Sequence, residues 1–238
     1  MKAKSILQCA ALLTGLLFLN VPLFATVESD IVGYTEVTLK PGFNLLALPF
    51  DGLASDTGID IKTVVQGTPT NLDQIQYWAD GKLEVLVYYA RNNVGWCSGL
   101  NPVADKSIFL SPGQGFWYKS AAAAPVSVRI AGRVATTGEE TITTTTGFNL
   151  IGPPTPQAVK LSDLTFKVNN IEGVPNLAQI QYWNGQKLEV LVYYTRNNVG
   201  WCSGLNPVDI TQIEFLPTDG FWFVTSTTGV TITFPSIL

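Results

Sequence analysis

QIQYWADGKLEVLVYY, residues 74–89, recurs almost unchanged as QIQYWNGQKLEVLVYY, residues 179–194, and this pair of stretches decides the fold. The same offset of 105 residues separates the two occurrences of GFNL (from 42 and 147), of RNNVGWCSGLNPV (from 91 and 196) and of GFW (from 115 and 220). A constant offset over so many segments indicates an internal duplication. It also predicts that the two copies align without a gap.

Each copy has the length of one ordinary domain, so the duplication predicts one domain at residues 30–132 and a second at 138–238. Short β-prone segments bounded by Gly, Pro, Asn or Asp follow one another in the first copy, at residues 31–40, 43–50, 74–78, 82–89, 107–110, 115–120 and 126–130. Only residues 59–65 and 157–164 suggest a turn or two of helix. The expected fold is all-β, with two tandem homologous antiparallel β-sandwich or barrel-like domains after a signal peptide.

The two copies are most alike between residues 74 and 103, where 26 of 30 positions match their partners 105 residues later. Outside this block the copies share little beyond turn glycines and aromatic residues. One interpretation is that both copies keep the block because it contacts the same ligand or partner. The other is recent gene conversion, which makes DNA copies alike without regard to function.

The segment between the two strands of the hairpin, residues 79–81, is suited to a three-residue loop with Gly81 at positive φ. This register pairs Trp78 with Lys82. With the two-residue period of a strand, it places two groups of side chains on opposite faces. The group expected in the core is Ile75, Tyr77, Leu83, Val85, Val87 and Tyr89, and the outward group is Gln74, Gln76, Trp78, Lys82, Glu84, Leu86 and Tyr88.

A face that mixes aromatic, amide and charged groups is able to stack on a sugar ring or to meet another protein surface. The candidate binding residues are therefore the outward side chains of the hairpin and their repeats, namely Gln76, Trp78, Glu84, Tyr88, Gln181, Trp183, Glu189 and Tyr193. For any single Trp, the alternative is a place in a core or at a domain junction.

The N-terminus predicts a secretory signal over residues 1–25, with Lys2 and Lys4 before an apolar stretch and Ala25 at the expected cleavage site. The alternative, a membrane anchor, is less suited because Asn20 and Pro22 interrupt the stretch. Export predicts a secreted, periplasmic or bacterial cell-surface protein without a membrane span after cleavage. Removing the two lysines leaves 12 basic and 18 acidic residues, a net charge of −6, which argues against nucleic acid as a partner.

Catalytic groups are scarce. The chain has no His, and Glu84 and Glu189 are the only carboxylates at equivalent positions of both copies. Histidine-based acid–base chemistry is therefore excluded, and one carboxylate per copy does not make the pair that glycoside hydrolysis normally uses. No segment has the ligand spacing of a calcium loop. We expect no enzymatic activity, no metal site and no cofactor.

Two cysteines lie in the mature chain, Cys97 and Cys202, inside identical GWCSGLNP segments. An exported protein meets oxidising conditions, so a disulfide between them is one alternative. A bond between subunits and a pair of buried or free thiols are the others. The sequence leaves the three open.

Four short motifs together resemble a loose group of secreted β-rich proteins from verrucomicrobial, lentisphaeral and planctomycete bacteria. They are a glycine–aromatic–asparagine strand, a tryptophan hairpin, a glycine–tryptophan loop and a proline–glycine turn before an aromatic residue, here at residues 42–45, 74–78, 95–96 and 112–117. In the second copy Thr218 and Asp219 depart from the turn pattern. The resemblance implies export and a β-rich fold, and it carries no activity.

Two hypotheses about function follow. The first is a non-enzymatic extracellular structural or interaction protein that binds other protein subunits, such as a surface-layer or filament subunit. The second is a carbohydrate-binding protein that uses the repeated Trp hairpin face to bind a surface glycan.

Overall fold

The computed structural model describes residues 31–53, 58–64, 69–79, 81–99, 101–103, 107–134, 138–184 and 186–235. The predicted signal, residues 1–25, lies outside the described residues. Among the described residues, no helix has the length and apolar character that a membrane crossing needs. We call residues 31–134 the first half and residues 138–235 the second half.

Strands make up almost all of the regular structure. The first half contains β1 (Val32–Leu39), β2 (Gly42–Ala47), β3 (Ile59–Asp60), β4 (Gln74–Ala79), β5 (Lys82–Tyr89), β6 (Gly95–Ser98), β7 (Asn101–Pro102), β8 (Phe109–Leu110), β9 (Gly115–Ser120) and β10 (Val126–Arg133). The second half contains β11 (Glu140–Thr143), β12 (Gly147–Ile151), β13 (Val159–Lys160), β14 (Thr165–Val168), β15 (Ile171–Glu172), β16 (Gln179–Trp183), β17 (Leu188–Tyr194), β18 (Gly200–Ser203), β19 (Asn206–Pro207), β20 (Glu214–Phe215), β21 (Phe221–Thr225) and β22 (Val230–Phe234).

The helices among the described residues are all short 3-10 turns, at Ile61–Thr63, Arg91–Asn93, Leu161–Asp163, Arg196–Asn198 and Ile210–Gln212. Two of them fall inside the segments predicted to contain a turn or two of helix. All seven predicted strand segments of the first half overlap observed strands, and the prediction of an all-β fold is confirmed. Sequence reasoning took the segment that forms β6 as a loop.

Each half contains one six-stranded antiparallel sheet with the same strand order. The order is β2-β9-β4-β5-β6-β7 in the first half and β12-β21-β16-β17-β18-β19 in the second. One face of each sheet, which we call the inner face, is covered by a second layer. That layer is the long β1–β10 ribbon in the first half and the sheet β11-β22-β14-β15 in the second, which gives a sandwich-like arrangement.

The two cores form because apolar side chains alternate along the strands and meet between the layers. In the first half, Ile75, Leu86 and Phe116 from the six-stranded sheet join Val128 and Ile130 of β10 in one buried cluster. The second half has its own cluster, in which Ile180, Leu191 and Phe221 pack with Val230, Ile232 and Phe234 of β22. The predicted domain boundaries remain a prediction.

The predicted hairpin register is wrong by one residue. Ala79 pairs with Lys82 and Trp78 pairs with Leu83, so the connection is a two-residue turn that contains Gly81 at φ +77°. A one-residue slip moves every side chain of β5 to the other face. Leu86 and Tyr88 therefore point to the core, whereas Leu83, Val85 and Val87 point outward, and β17 repeats this register.

The expectation of a gap-free alignment is also wrong. The pair Ile59–Leu110 of β3 and β8 corresponds to Val159–Phe215 of β13 and β20, so β3 and β13 are offset by 100 residues, whereas β8 and β20 keep the offset of 105. The first half has the extra residues before β3. The second half has its own extra residues after the 3-10 helix Leu161–Asp163, which restores the offset of 105. There β14 and β15 form a hairpin, and β14 pairs with β22.

Candidate docking face

The face of each six-stranded sheet that points away from the core carries the same ten side chains in both halves. We call it the outer face. Its positions, each followed by its repeat, are Phe43/Phe148, Leu45/Leu150, Gln74/Gln179, Gln76/Gln181, Trp78/Trp183, Leu83/Leu188, Val85/Val190, Val87/Val192, Cys97/Cys202 and Trp117/Trp222. None of the ten is charged. Beside these positions on the same face, Lys119 of the first half is replaced by Val224 in the second.

Large apolar side chains on the outer face are open to solvent. Trp78 is 48% exposed and Trp183 is 55% exposed, while Phe43 and Phe148 are both 57% exposed. Leu83 and Leu188 are each 46% exposed beside them. The two predicted Trp candidates therefore lie at the surface and not in a core.

The aromatic rings of the outer face hold one another in fixed orientations. Phe43 meets Trp117 edge to face with ring centroids 5.9 Å apart, and Phe148 meets Trp222 in the same way at 5.8 Å. In the first half the ammonium group of Lys119 lies over the Phe43 ring, 5.4 Å from its centroid. Each half thus presents a preformed aromatic platform at one end of its outer face.

A pair of glutamine side chains occupies the middle strand of each outer face. The amide of Gln76 donates to Oε1 of Gln74 over 3.1 Å, and the amide of Gln181 donates to Oε1 of Gln179 over 3.0 Å. Both pairs are half-buried by the apolar side chains around them. Each bond satisfies one donor and one acceptor of the pair, and the remaining amide donors and the second carbonyl oxygen keep some polarity on the face.

The structure divides the predicted binding group. Gln76 and Trp78 lie on the outer face, whereas Glu84 lies opposite Tyr77 and Tyr88 packs edge to face on Trp96, both on the inner side. In the second half Glu189 and Tyr193 likewise leave the face that carries Gln181 and Trp183. The grouping of all eight on one face is wrong because it relied on the shifted register, and their binding role remains a prediction.

The two displaced carboxylates have local partners. Lys82 forms an ion pair with Glu84, and Lys187 pairs with Glu189 at 3.0 Å, both near the hairpin turns. Burial raises the pKa of the Tyr182 phenol, and the neighbouring Glu189 carboxylate raises it further. Both carboxylates are therefore in ion pairs near the hairpin turns and lie away from the outer face.

Both cysteines are free and buried, each only 1% exposed. Of the three alternatives, the structure shows the pair of buried thiols. Cys97 lies in β6 and Cys202 in β18, each the fifth strand of its own sheet counted from the strand at the junction. Four strand spacings of about 4.8 Å therefore separate each thiol from that strand, too far for a bond across the junction.

The halves contact each other through a reciprocal exchange of main-chain groups. The backbone N–H of Ala47 donates to the carbonyl of Thr218, and that of Gly152 donates to the carbonyl of Gly113, both over 3.0 Å. Ala47 corresponds to Gly152 and Gly113 to Thr218 in the repeat. The two bonds are thus related by a pseudo-two-fold axis, as in an isologous dimer interface.

The backbones approach so closely at this junction that side chains are excluded. A Cβ placed on Gly152 would lie 2.4 Å from Cβ of Ala47 and 2.3 Å from the carbonyl oxygen of Asp219. A Cβ on Gly115 would lie 2.6 Å from Cγ of Leu150. The difference between Ala47 and Gly152 therefore follows from packing, because the axis leaves room for one methyl group and not for two.

The outer faces of the two halves meet at the junction. Trp78 of the first half and Phe148 and Leu150 of the second line one cleft of about 170 Å³. The aromatic surface therefore continues from one half to the other. Sequence reasoning missed Phe43 and Phe148 as part of this surface, although their recurrence in GFNL was the available signal.

Among the described residues, no three His, Cys, Asp or Glu side chains lie close enough together to hold a metal ion. No protein-family model, curated protein or solved structure matches the chain. The site is therefore interpreted from its own geometry.

Proposed function

We propose that the protein is a non-enzymatic, exported structural or interaction protein that docks on other protein subunits through its outer faces. The observation that carries this proposal is the outer face itself, on which both sheets leave large apolar side chains exposed, namely Phe43, Trp78 and Leu83 and their repeats. Large exposed apolar patches are rare on monomeric soluble proteins and mark sites of interaction. Aromatic enrichment with few charges is typical of the centre of a protein–protein interface.

The repeat supports a role for the outer face beyond shared ancestry. The near-identical block covers only residues 74–103, yet Phe43, Leu45 and Trp117 lie outside it and are also the same in both halves. This pattern favours the interpretation that a shared partner, rather than gene conversion alone, keeps the face alike.

Two such faces on one chain favour extended assemblies. A subunit with two equivalent docking surfaces is able to contact two neighbours, and repeated contacts of this kind build filaments or layers unless they close on themselves. A surface-layer or filament subunit is therefore our more specific proposal. Export of the protein and its location at the cell surface are also part of this proposal.

The glycan-binding hypothesis is less well supported for the face as a whole. It relied on Glu84 and Tyr88 beside Trp78, and both point to the other side of the sheet. On the outer face Trp78 has Leu83 and Val85 beside it, which offer no hydrogen bonds to sugar hydroxyls, and Gln76, whose amide donates to Gln74. A mostly apolar face with self-paired glutamines is better suited to a protein surface.

The proposal is tested by placing charges on the face. We expect the mature protein to form assemblies at high concentration, seen by sedimentation velocity and electron microscopy. The double variant Leu83→Glu/Leu188→Glu is expected to remain monomeric, since an interface buries these side chains. A matched control is Ile171→Glu/Leu205→Glu, which adds the same charge at exposed leucine and isoleucine positions outside the outer face. A wild-type protein that stays monomeric, or assembly equally lost in the control, contradicts the proposal.

A further inference from the structure

The cleft at the junction differs in chemistry from the rest of the outer face. Its apolar walls are Trp78 from the first half and Phe148 from the second, and its polar lining includes Gln114, Thr143 and Thr145. Elsewhere the outer face is mostly aliphatic and aromatic, apart from the two glutamine pairs and Lys119. In the cleft, polar side chains from both halves lie beside aromatic rings from both halves.

Two of the polar groups are available to a ligand. Gln114 uses its Oε1 to accept from the backbone N–H of Ser111 over 2.7 Å, which fixes the side chain and leaves its amide N–H groups free to donate. Thr143 is exposed, and its hydroxyl has no hydrogen-bond partner among the described residues. Asn149, in contrast, already accepts from the backbone N–H of Thr145 and donates to the Thr145 carbonyl. We therefore assign it no hydrogen bond to a ligand.

The aromatic rings of Trp78 and Phe148 lie on different strands, and both are exposed to solvent. Trp78 is 48% exposed at the end of β4, and Phe148 is 57% exposed on β12, where Trp222 supports it edge to face. The C–H face of a pyranose packs on such rings as an apolar surface, while its hydroxyls point to the rim. The volume of about 170 Å³ accommodates one such ring.

From this combination we infer that the junction cleft binds a single pyranose unit, stacked on Trp78 and hydrogen-bonded by Gln114 and Thr143. The inference goes beyond the proposed function, because a sugar in the cleft leaves Leu83, Val85 and Val87 free to dock a protein. It also needs no carboxylate, unlike the glycan hypothesis that the sequence suggested.

The second half provides an internal comparison. The positions that repeat Gln114 and Thr145 are Asp219 and Lys40, whereas Thr143 has the same residue at its repeat, Thr38. Charged groups in place of a neutral amide and hydroxyl resist losing their water to a neutral sugar. The site is therefore specific to Trp78, although Trp183 is equally exposed and lies in the same sheet position.

The test titrates the mature protein with the methyl pyranosides of glucose, galactose, mannose and N-acetylglucosamine, each to 100 mM, followed by saturation-transfer NMR. We expect at least one to bind, with a loss of about tenfold or more in Trp78→Ala and in Phe148→Ala. Trp183→Ala is the matched control and is expected to bind within about twofold of wild type.

Each possible result of this test either supports or overturns the inference of a pyranose site. Absence of binding by all four pyranosides overturns the inference, as does binding that survives Trp78→Ala or that Trp183→Ala weakens equally. Circular dichroism and thermal melting identify a variant that has lost its fold, and Thr143→Val then provides a gentler second variant with weaker binding expected. Assembly in the sedimentation assay is measured on the same samples. A wild-type protein that assembles but binds none of the pyranosides removes the cleft alone, and a wild-type protein that binds a pyranoside but stays monomeric removes the docking proposal alone.

Discussion

Asp73 shows how one buried side chain organises the first half. It is 3% exposed and accepts from the Tyr118 hydroxyl over 2.6 Å, from the Ala121 backbone N–H over 2.7 Å and from the Thr70 backbone N–H over 2.8 Å. Burial raises the pKa of the Tyr118 phenol above its usual range, and the hydrogen bond to Asp73 raises it further. The second half replaces Asp73 and Tyr118 together, with Ala178 and Phe223.

We predict that Asp73 and Tyr118 are energetically coupled. Asp73→Ala leaves three donors without their acceptor and is expected to cost about 2–3 kcal/mol of unfolding free energy. Adding Tyr118→Phe, which reproduces the apolar pair of the second half, removes one of those donors. The double variant should therefore be less destabilised than the sum of the single variants by about 1 kcal/mol. Urea denaturation of the four proteins measures this, and strict additivity contradicts it.

Asp219 at the junction gives a prediction about pH. Burial raises its pKa, an effect that the hydrogen bond from the Leu216 backbone N–H only partly offsets. A carboxyl with a raised folded-state pKa stabilises the fold below its unfolded-state pKa, and this contribution is lost as pH rises through the folded value. At neutral pH the charged group therefore costs stability.

Asp219→Asn keeps an acceptor oxygen for Leu216 and removes the charge. We expect it to raise the melting temperature at pH 7 and to lose this advantage at pH 3, where Asp219 in the wild type is protonated. Calorimetry at both pH values measures the difference. Asp163→Asn, at an exposed position outside the junction, controls for net charge. An equal shift at both pH values contradicts the electrostatic explanation.

At the scale of the element, the hairpin shows which part of the fold was predictable. Both strands and their pairing follow from the repeated stretch, but the register does not. In β5 the outer face carries Leu83, Val85 and Val87 and the inner face carries Lys82, Glu84, Leu86 and Tyr88, so apolar side chains lie on both faces and the more apolar face points outward. Alternation alone then cannot tell the core face from the outer face. The sequence at residues 79–81 is compatible with turns of two or three residues, and tertiary packing on β9 decides between them.

The observed register predicts very different losses of unfolding free energy for substitutions at two nearby leucines. Leu86 is buried in the core, so Leu86→Ala is expected to cost about 2–5 kcal/mol through lost contacts and the cavity left behind. Leu83 is exposed, and Leu83→Ala is expected to change the unfolding free energy by about 0.5 kcal/mol or less. Denaturant titration compares the two. The register that the sequence favoured gives the reverse order.

The junction is a second element-scale feature that the sequence did not reveal. The hydrogen-bonded pairs at the junction, Ala47 with Thr218 and Gly152 with Gly113, touch through main-chain groups. Such contacts leave no side-chain pattern in the sequence. Gly152→Ala places a methyl group against the Asp219 carbonyl and the Ala47 side chain, and we expect a cost of about 1–3 kcal/mol. Ala47→Gly, at the equivalent position, only removes a methyl group and should cost less. Equal stability of the two variants, measured by thermal melting, contradicts this account of the junction.

At the scale of the whole molecule, two sandwich-like halves share a pseudo-two-fold junction and present one continuous outer face. The duplication and the all-β class were visible in the sequence. The continuity of the face was not, because it depends on where Trp78 meets Phe148 across the junction. Each half carries its own copy of the face, and these two equivalent surfaces are the physical basis for proposing an assembly subunit.

The most direct measurement is hydroxyl-radical footprinting of the protein before and after assembly. If the outer faces are the docking surfaces, the oxidation rates of Trp78, Trp183, Phe43 and Phe148 fall on assembly. Tyr34, which is 66% exposed on β1 and away from these faces, keeps its rate. Unchanged oxidation of the four outer-face rings, with protection at Tyr34 instead, contradicts the account.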